Sequence, residues 1–170
     1  MARFFEVFES VVRGGPGGPE STRRALAMMT DLPARPRVLD LGCGPGGGSA
    51  NLADLTGGRV TAFDLHAPFV VQQAAAAEAA GLSRRLDPIC ADMRAAPFTA
   101  ASFDLVWSEG ALYSVGFAEG LKVCLRLATP GGNSTSRSVG LTPFMLIPMS
   151  TRAFEPGPIM ANCFLRRRLT

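Results

Sequence analysis

Apolar positions along the first three quarters of the chain alternate between two spacings, one typical of helices and one of buried strands. Apolar residues at helical spacing predict helices over 3–13, from 19 to about 32, and over 47–56, 68–80 and 116–127. Short runs rich in Val, Leu and Ile, each ending near a turn signal, predict strands over 37–41, 59–64, 86–91 and 102–107. Strands that alternate with helices of this length predict an α/β, doubly wound, mostly parallel sheet with flanking helices.

The pattern ends at the Pro130-Gly131-Gly132 turn. Residues 133–140 are mostly Ser, Thr, Arg and Gly, and four prolines within 142–158 argue against a long helix or a central strand there. Within this part only 144–147 has the composition of a strand. We therefore expect the C-terminal strands to be incomplete, and we interpret residues 133–170 as an irregular basic tail, a truncated or reading-frame-altered ending.

The composition of the chain favours a folded, non-membrane protein. At 170 residues, with 47% apolar and 18% charged residues, the chain predicts one folded domain. No apolar stretch reaches the ~18 residues of a membrane span, and Glu6 and Glu9 argue against a signal peptide, so we expect a cytoplasmic protein with no membrane partner. The net charge of +3 is concentrated in the five arginines of the tail, which we interpret as a solvated segment.

The cysteines do not predict a metal site. Cys43, Cys90, Cys124 and Cys163 are far apart, form no CxxC pair, and are accompanied by a single histidine, His66. We expect free and mostly buried thiols and no metal.

A glycine-rich turn, Asp40-Leu41-Gly42-Cys43-Gly44-Pro45-Gly46, lies where the first predicted strand passes to a helix. Glycines there allow positive φ and a close approach of backbone to ligand, and the helix N-terminus presents unpaired N–H groups. With Gly47, the same segment also satisfies the G-x-G-x-x-G of dinucleotide enzymes, so the glycines alone leave an NAD site open.

Acidic residues at three predicted strand ends distinguish a dinucleotide site from a site for a ligand with an amino-acid moiety and a sulfonium. Asp64 ends the second strand, where it can accept hydrogen bonds from ribose hydroxyls. Dinucleotide enzymes share that acid but do not generally need one just before the glycines, whereas an amino-acid moiety with a sulfonium gives Asp40 a cationic neighbour. Asp92 follows the third strand and is placed to meet an adenine amino group, with Met93 packed on the ring.

The combination V-L-D-L-G-C-G-P-G, F-D-L, A-D-M, F-D-L-V-W and a Pro-Gly-Gly stop resembles the Rossmann-like class I methyltransferases that use S-adenosyl-L-methionine. The resemblance covers roughly residues 19–132 and implies a small-molecule methyltransferase domain there, preceded by an amphipathic helix and linker over 1–18. It implies distinct parts of a cofactor site: Asp40, Gly42, Cys43, Gly44 and Gly46 for the methionine end, Asp64 and Leu65 for the ribose, Asp92 and Met93 for the adenine, and Trp107, Ser108, Glu109 and Gly110 facing the methyl group.

Each role has a structural alternative. Asp40 could cap the following turn, Asp64 could be an ordinary strand-end acid, and Asp92 could be a helix N-cap. Glu109, the candidate catalytic residue, would orient an acceptor amine or take its proton, or would only bind the next helix. Tyr113 is equally suited to ligand contact and to packing, and His66 suits a loop better than a base.

The first predicted helix is amphipathic, and its apolar face carries Phe4, Phe5 and Phe8. By the resemblance, this face would form part of an apolar substrate lid; core packing is the alternative.

Other functions remain open at the level of sequence. Loss of the C-terminal third would leave a catalytically silent cofactor-binding remnant or regulatory module. An NAD-dependent oxidoreductase is disfavoured because the chain has no Tyr-x-x-x-Lys, its one lysine being Lys122. The absence of an Asn/Asp-Pro-Pro-aromatic tetrad after the fourth strand disfavours a nucleic-acid partner and leaves a small molecule as the expected substrate.

Overall fold

The computed structural model describes Phe5 and residues 18–29, 32–129 and 139–141. These residues form a parallel sheet with four α-helices. The strands are β1 Arg37–Leu41, β2 Arg59–Asp64, β3 Leu86–Cys90, β4 Leu105–Ser108 and β5 Val139–Leu141. The helices are α1 Pro19–Ala27, α2 Gly48–Thr56, α3 Ala67–Ala79 and α4 Phe117–Leu127, with short 3-10 helices at Met93–Ala95 and Leu112–Val115.

Both faces of the sheet are covered, as expected for parallel strands with apolar residues on both of their faces. On one face, α1, α2 and α3 contribute Ala25, Leu52 and Ala77 to a core that also holds Val38 and Trp107. On the other face, α4 packs its buried side chains against the sheet: Cys124 and Leu127 meet Leu39, Leu41 and Val106. The predicted doubly wound α/β fold is confirmed.

The strand order β3-β2-β1-β4-β5 creates a reversal beside β1. The chain moves outward from β1 to β2 and β3, then returns to place β4 on the other side of β1. In open parallel sheets, ligands bind at such a switch point, outside the carboxyl ends of the strands. We therefore expect a ligand site at the segments that follow Leu41, Asp64, Cys90 and Ser108.

Most predicted elements are confirmed, with differences at their ends. The bounds of β1 and β2 match the prediction, but β4 begins at Leu105, because Phe103 makes only an isolated bridge to Ala128. The predicted helix from 19 ends at Ala27, not near 32. Among the described residues, no helix has the length and apolar character needed to cross a membrane.

A short strand that the sequence did not predict follows the Pro-Gly-Gly turn. Val139–Leu141 pairs with β4 in parallel, Val139 opposite Val106. Three residues are too few to show a strand period, and the free edge of β4 supplies the hydrogen-bonding partners that order them. The helix predicted over 3–13, apart from Phe5, and the strand predicted over 144–147 lie outside the described residues.

Candidate cofactor-binding site

A cavity of about 430 Å³ opens at the carboxyl ends of β1 to β4. It is lined mainly by the ends of these strands and the segments that follow them, together with Phe5. Of the site residues that the sequence predicted, Trp107 and Ser108 do not line it. Those that do are Asp40, Gly42, Cys43, Gly44, Gly46, Asp64, Leu65, Asp92, Met93, Glu109 and Gly110. Residues scattered over 70 positions of sequence thus meet at one place, because parallel strands end at one edge of the sheet.

The glycine turn after β1 adopts backbone conformations that other residues resist. Gly42 has φ +79°, and a Cβ added there would lie 2.2 Å from Cβ of Ala111. Gly44 has φ +61°, and a Cβ there would meet nothing within 4 Å. Gly42 is therefore required by packing, whereas Gly44 leaves open space beside the cavity.

The Asp64 carboxylate joins the end of β2 to the glycine turn. Its Oδ2 accepts a hydrogen bond from the Gly44 N–H at 3.0 Å, and its Oδ1 accepts one from the His66 N–H at 2.9 Å. The buried Gln73 in α3 donates from Nε2 to the Gly44 carbonyl oxygen at 3.1 Å. Each carboxylate oxygen keeps capacity for a further hydrogen bond, so Asp64 can still accept from a ligand hydroxyl.

Sequence reasoning missed Gln73. The available signal was its position four residues after Phe69 and four before Ala77, on the buried face of α3. A lone amide on the apolar face of an Ala-rich helix needs a partner, and that partner is the glycine turn.

Asp40 lies beneath the turn with 4% of its surface exposed. Its Oδ2 accepts a hydrogen bond from Ser49 Oγ at 2.6 Å, and both side chains are buried. The pair joins the end of β1 to the first turn of α2, and Ser49 is a second residue that sequence reasoning missed.

Asp92 forms a hydrogen-bonded ion pair with Arg94. Its carboxylate caps the 3-10 helix by accepting from the Arg94 N–H at 2.9 Å, and both its oxygens accept from the Arg94 guanidinium. The hydrogen bond from the Arg94 side chain lowers the pKa of Asp92 below its usual value. The N-cap alternative thus describes Asp92 in this structure, and a ligand amino group would share the carboxylate with Arg94, which the sequence did not single out.

The Ser108 side chain, which was predicted to face the ligand, does not reach the cavity in this structure. It is 2% exposed, lies outside the cavity lining, and donates from Oγ to the Leu41 carbonyl oxygen at 2.8 Å. Ser108 and Trp107 are the last residues of β4, so their side chains point to the two covered faces of the sheet. Glu109 and Gly110, just past the strand, do line the cavity.

Three rings pack together beside the cavity. His66 stacks on Phe5 with ring centroids 4.2 Å apart and meets Phe69 edge-on at 4.6 Å. Phe5 and Phe69 line the cavity, whereas His66 does not, so the loop interpretation of His66 fits better than a base. Tyr113, 57% exposed, also lines the cavity.

The thiols differ in exposure. Burial, followed by the charges of Asp40 and Asp64, raises the pKa of Cys43 far above its usual value, so its thiol is neutral. Burial raises the pKa of Cys124 to about 12. Cys90 is exposed, contrary to the expectation of mostly buried thiols, and Cys163 lies outside the described residues. In the part of the chain that the structure describes, no three His, Cys, Asp or Glu side chains group as metal ligands would.

The chain is similar in sequence to known proteins. A family model described as "Methyltransferase domain" matches residues 38–132. The malonyl-[acyl-carrier protein] O-methyltransferase of Enterobacter lignolyticus (strain SCF1) is 36% identical over 148 residues, which make up 85% of this chain and 56% of that protein. A sterol 24-C-methyltransferase of Gibberella zeae is 34% identical over 97 residues, or 56% of this chain and 26% of that protein. The chain thus spans about half the length of the first of these curated relatives and less of the second.

The fold is also similar to that of solved methyltransferase structures. A solved structure of a SAM dependent methyltransferase from Aquifex aeolicus superposes with a TM-score of 0.66 at 17% identity, covering 93% of this chain and 79% of that one. The family match favours a methyl donor over NAD as the ligand of the glycine turn. The chain belongs to the S-adenosylmethionine-dependent methyltransferases of the Rossmann-like α/β fold.

Proposed function

We propose that this chain binds S-adenosyl-L-methionine in the cavity at the strand ends and transfers its methyl group to a small-molecule acceptor. The junction of Asp64 with Gly44 carries the proposal, because it places a carboxylate with spare accepting capacity beside a glycine with open space above it. A ribose has hydroxyls that such a carboxylate binds.

The order of the strands supports the way in which the cofactor would be held. Asp92 and Met93 follow β3, Asp64 ends β2 and Leu65 follows it, and the glycine turn begins at the end of β1. An adenine, a ribose and an amino-acid chain joined in that order would therefore meet three consecutive strand ends. The cavity volume of about 430 Å³ is within the usual range for small-ligand sites.

The charge of the lining also fits. The acidic side chains that line the cavity are Asp40, Asp64, Asp92 and Glu109. Among the described lining residues, Arg94 is the one cationic side chain, and it is paired with Asp92. A lining that is negative overall favours a ligand with a net positive charge, such as this sulfonium cofactor.

When bound, the cofactor supplies a methyl group on a positively charged sulfur, which already activates it. The chain's own residues then need to bind, orient and exclude water more than to generate a strong nucleophile. Phe5, Phe69 and Val115 add apolar surface to the cavity wall and suit an acceptor with an apolar part. Glu109 is the lining acid next to β4, and we assign it to the acceptor.

Calorimetric titration of the full chain with S-adenosylmethionine and S-adenosylhomocysteine tests the proposal. We expect micromolar binding that Asp64→Ala abolishes. Asp54→Ala is the matched control, because Asp54 is an exposed acid on α2, paired with Arg85 and outside the cavity.

The possible results distinguish a methyltransferase from a cofactor-binding or regulatory module. Binding lost only in Asp64→Ala supports the site and justifies a screen of acceptors. Binding without transfer to any acceptor in that screen supports the cofactor-binding or regulatory module instead. A folded protein that binds neither ligand contradicts the proposal.

A further inference from the structure

Gly44, at the centre of the glycine turn, is held from both sides by side chains. Its N–H donates to Asp64 Oδ2 at 3.0 Å, and its carbonyl oxygen accepts from Gln73 Nε2 at 3.1 Å. One of these side chains belongs to the end of β2 and the other to the buried face of α3. Together the two hydrogen bonds favour the Gly44 conformation with φ +61°, one of the many that a glycine can adopt.

The first residues of the turn are attached differently, through the backbone of β2. The N–H groups of Gly42 and Cys43 both donate to the Phe63 carbonyl oxygen, at 2.8 and 3.1 Å. Pro45, which follows Gly44, has no N–H to donate. Gly44 is therefore the residue at which side chains take over from strand backbone in holding the turn.

The Gln73 amide makes only part of the hydrogen bonds that its burial requires. Its side chain is 0% exposed, and within the described part of the chain its Oε1 is buried without a hydrogen-bond partner. A buried acceptor without a partner is costly, and an alanine, as at Ala77 one turn later on the same face, would avoid that cost. Packing alone therefore does not account for an amide at this position, and its contribution is the bond that Nε2 donates to the turn.

The turn and Asp64 serve different ends of the ligand in the proposed cofactor site. Gly44 lines the cavity with open space beside it and would receive the amino-acid end, whereas Asp64 would receive the ribose. Gln73 lies outside the cavity lining, so it acts on a ligand through Gly44. A turn that is already held in one conformation loses less conformational entropy when the ligand binds.

From this geometry we infer that Gln73 is a positioning residue for the cofactor, because it holds the Gly44 carbonyl oxygen and so presets the turn that receives the amino-acid end. The inference rests on the proposed cofactor site and deepens it by naming a residue that acts on one end of the ligand. Removal of the Gln73 donor should weaken ligands that reach the turn and spare ligands that end near the ribose.

Two ligands that differ at the amino-acid end test the inference by calorimetry with the full chain. S-adenosylhomocysteine carries that end, whereas 5′-methylthioadenosine has the same adenine and ribose and stops just past the sulfur. Gln73→Met nearly keeps the side-chain length and the helix propensity and removes the donor. We expect this variant to bind S-adenosylhomocysteine about tenfold more weakly than the wild type does, and 5′-methylthioadenosine less than about twofold more weakly.

Urea denaturation of the same variants separates positioning from folding. Gln73→Met also removes the unpartnered Oε1, so its urea midpoint is expected to equal or exceed that of the wild type. Gln73→Ala, which lacks the donor as well, should show the same change in the ratio of the two affinities. Val71→Met introduces the same side chain two residues earlier on α3, at a position that is 69% exposed, and is the control that should change neither affinity.

The outcomes for the inference and for the proposed function are distinguishable. A loss of affinity confined to S-adenosylhomocysteine in the folded Gln73 variants supports the inference. Equal weakening of both ligands, no weakening of either, or loss of the fold in both variants overturns it, and binding by the wild type then leaves the cofactor site standing. Absence of binding of both ligands by folded wild-type protein overturns the proposed function as well.

Discussion

Gly42 and Ala111 are in such close contact that a Cβ on Gly42 would lie 2.2 Å from the Cβ of Ala111. This contact joins the turn after β1 to the turn after β4 across the switch point of the sheet. The two turns form adjacent walls of the cavity, so the shape of the site depends on the absence of one side chain.

Gly42→Ala is expected to lower the free energy of unfolding by about 2–4 kcal/mol, since it combines a positive φ with a clash. Gly110→Ala is the control, because Gly110 also has positive φ, at +67°, but open space around it. The control should cost about 1–2 kcal/mol. Urea denaturation measures both, and equal losses would show that the Ala111 contact does not constrain the turn.

Ser49→Ala should lower the free energy of unfolding by about 1–3 kcal/mol, because it deprives the buried Asp40 carboxylate of a hydrogen bond. Ser102→Ala, which removes an exposed hydroxyl, should change it by less than about 0.5 kcal/mol. Chemical denaturation of the two variants at neutral pH makes the comparison. An effect of Ser49→Ala no larger than that of Ser102→Ala would contradict a structural role for the pair.

The ion pair of Asp104 with Arg37 should make the stability of the fold depend on pH in the acidic range. The Asp104 carboxylate accepts from the Arg37 side chain at 2.8 and 3.2 Å, and these hydrogen bonds lower the pKa of Asp104 from its usual value of 3.8. A carboxyl with a depressed folded-state pKa stabilises the fold above its unfolded-state pKa and loses that contribution as pH falls through the folded-state value. Stability should therefore decline as pH drops below 3.8.

Asp104→Asn should flatten this decline. Urea midpoints measured from about pH 5 to about pH 2.5 should converge for the wild type and the variant at the acidic end. Asp54→Asn, an exposed acid paired with Arg85, serves as the control and should leave the slope nearly as in the wild type. Parallel curves for the wild type and Asp104→Asn would refute the linkage.

Cysteine reactivity should follow exposure. At pH 8, iodoacetamide is expected to modify the exposed Cys90 well before Cys43 or Cys124, whose thiols burial keeps protonated. Peptide mapping by mass spectrometry assigns each modification and keeps Cys163 separate. Modification of Cys43 as fast as Cys90 would show that the glycine turn opens to reagent in solution.

The sequence alone was sufficient for most of the fold. Buried parallel strands are short apolar runs, and here each is followed by glycine, an acid or a turn, so β1 and β2 were bounded correctly. β5 was missed because three residues have no period of their own. Its pairing depends on the free edge of β4, which exists only once the sheet has formed.

The sequence also determined which turns form the cavity, because residues that follow parallel strands meet at one edge of the sheet whatever their separation along the chain. Their roles toward a cofactor remain predictions. Only the tertiary structure decided the partners: Ser49 on Asp40, Arg94 on Asp92, and Gln73 on Gly44. It also decided that Ser108 faces Leu41 and that Glu109 faces the cavity. Such pairings depend on how helices and turns pack against the finished sheet, and a one-residue difference in where β4 ends is enough to move a side chain from the site to the core.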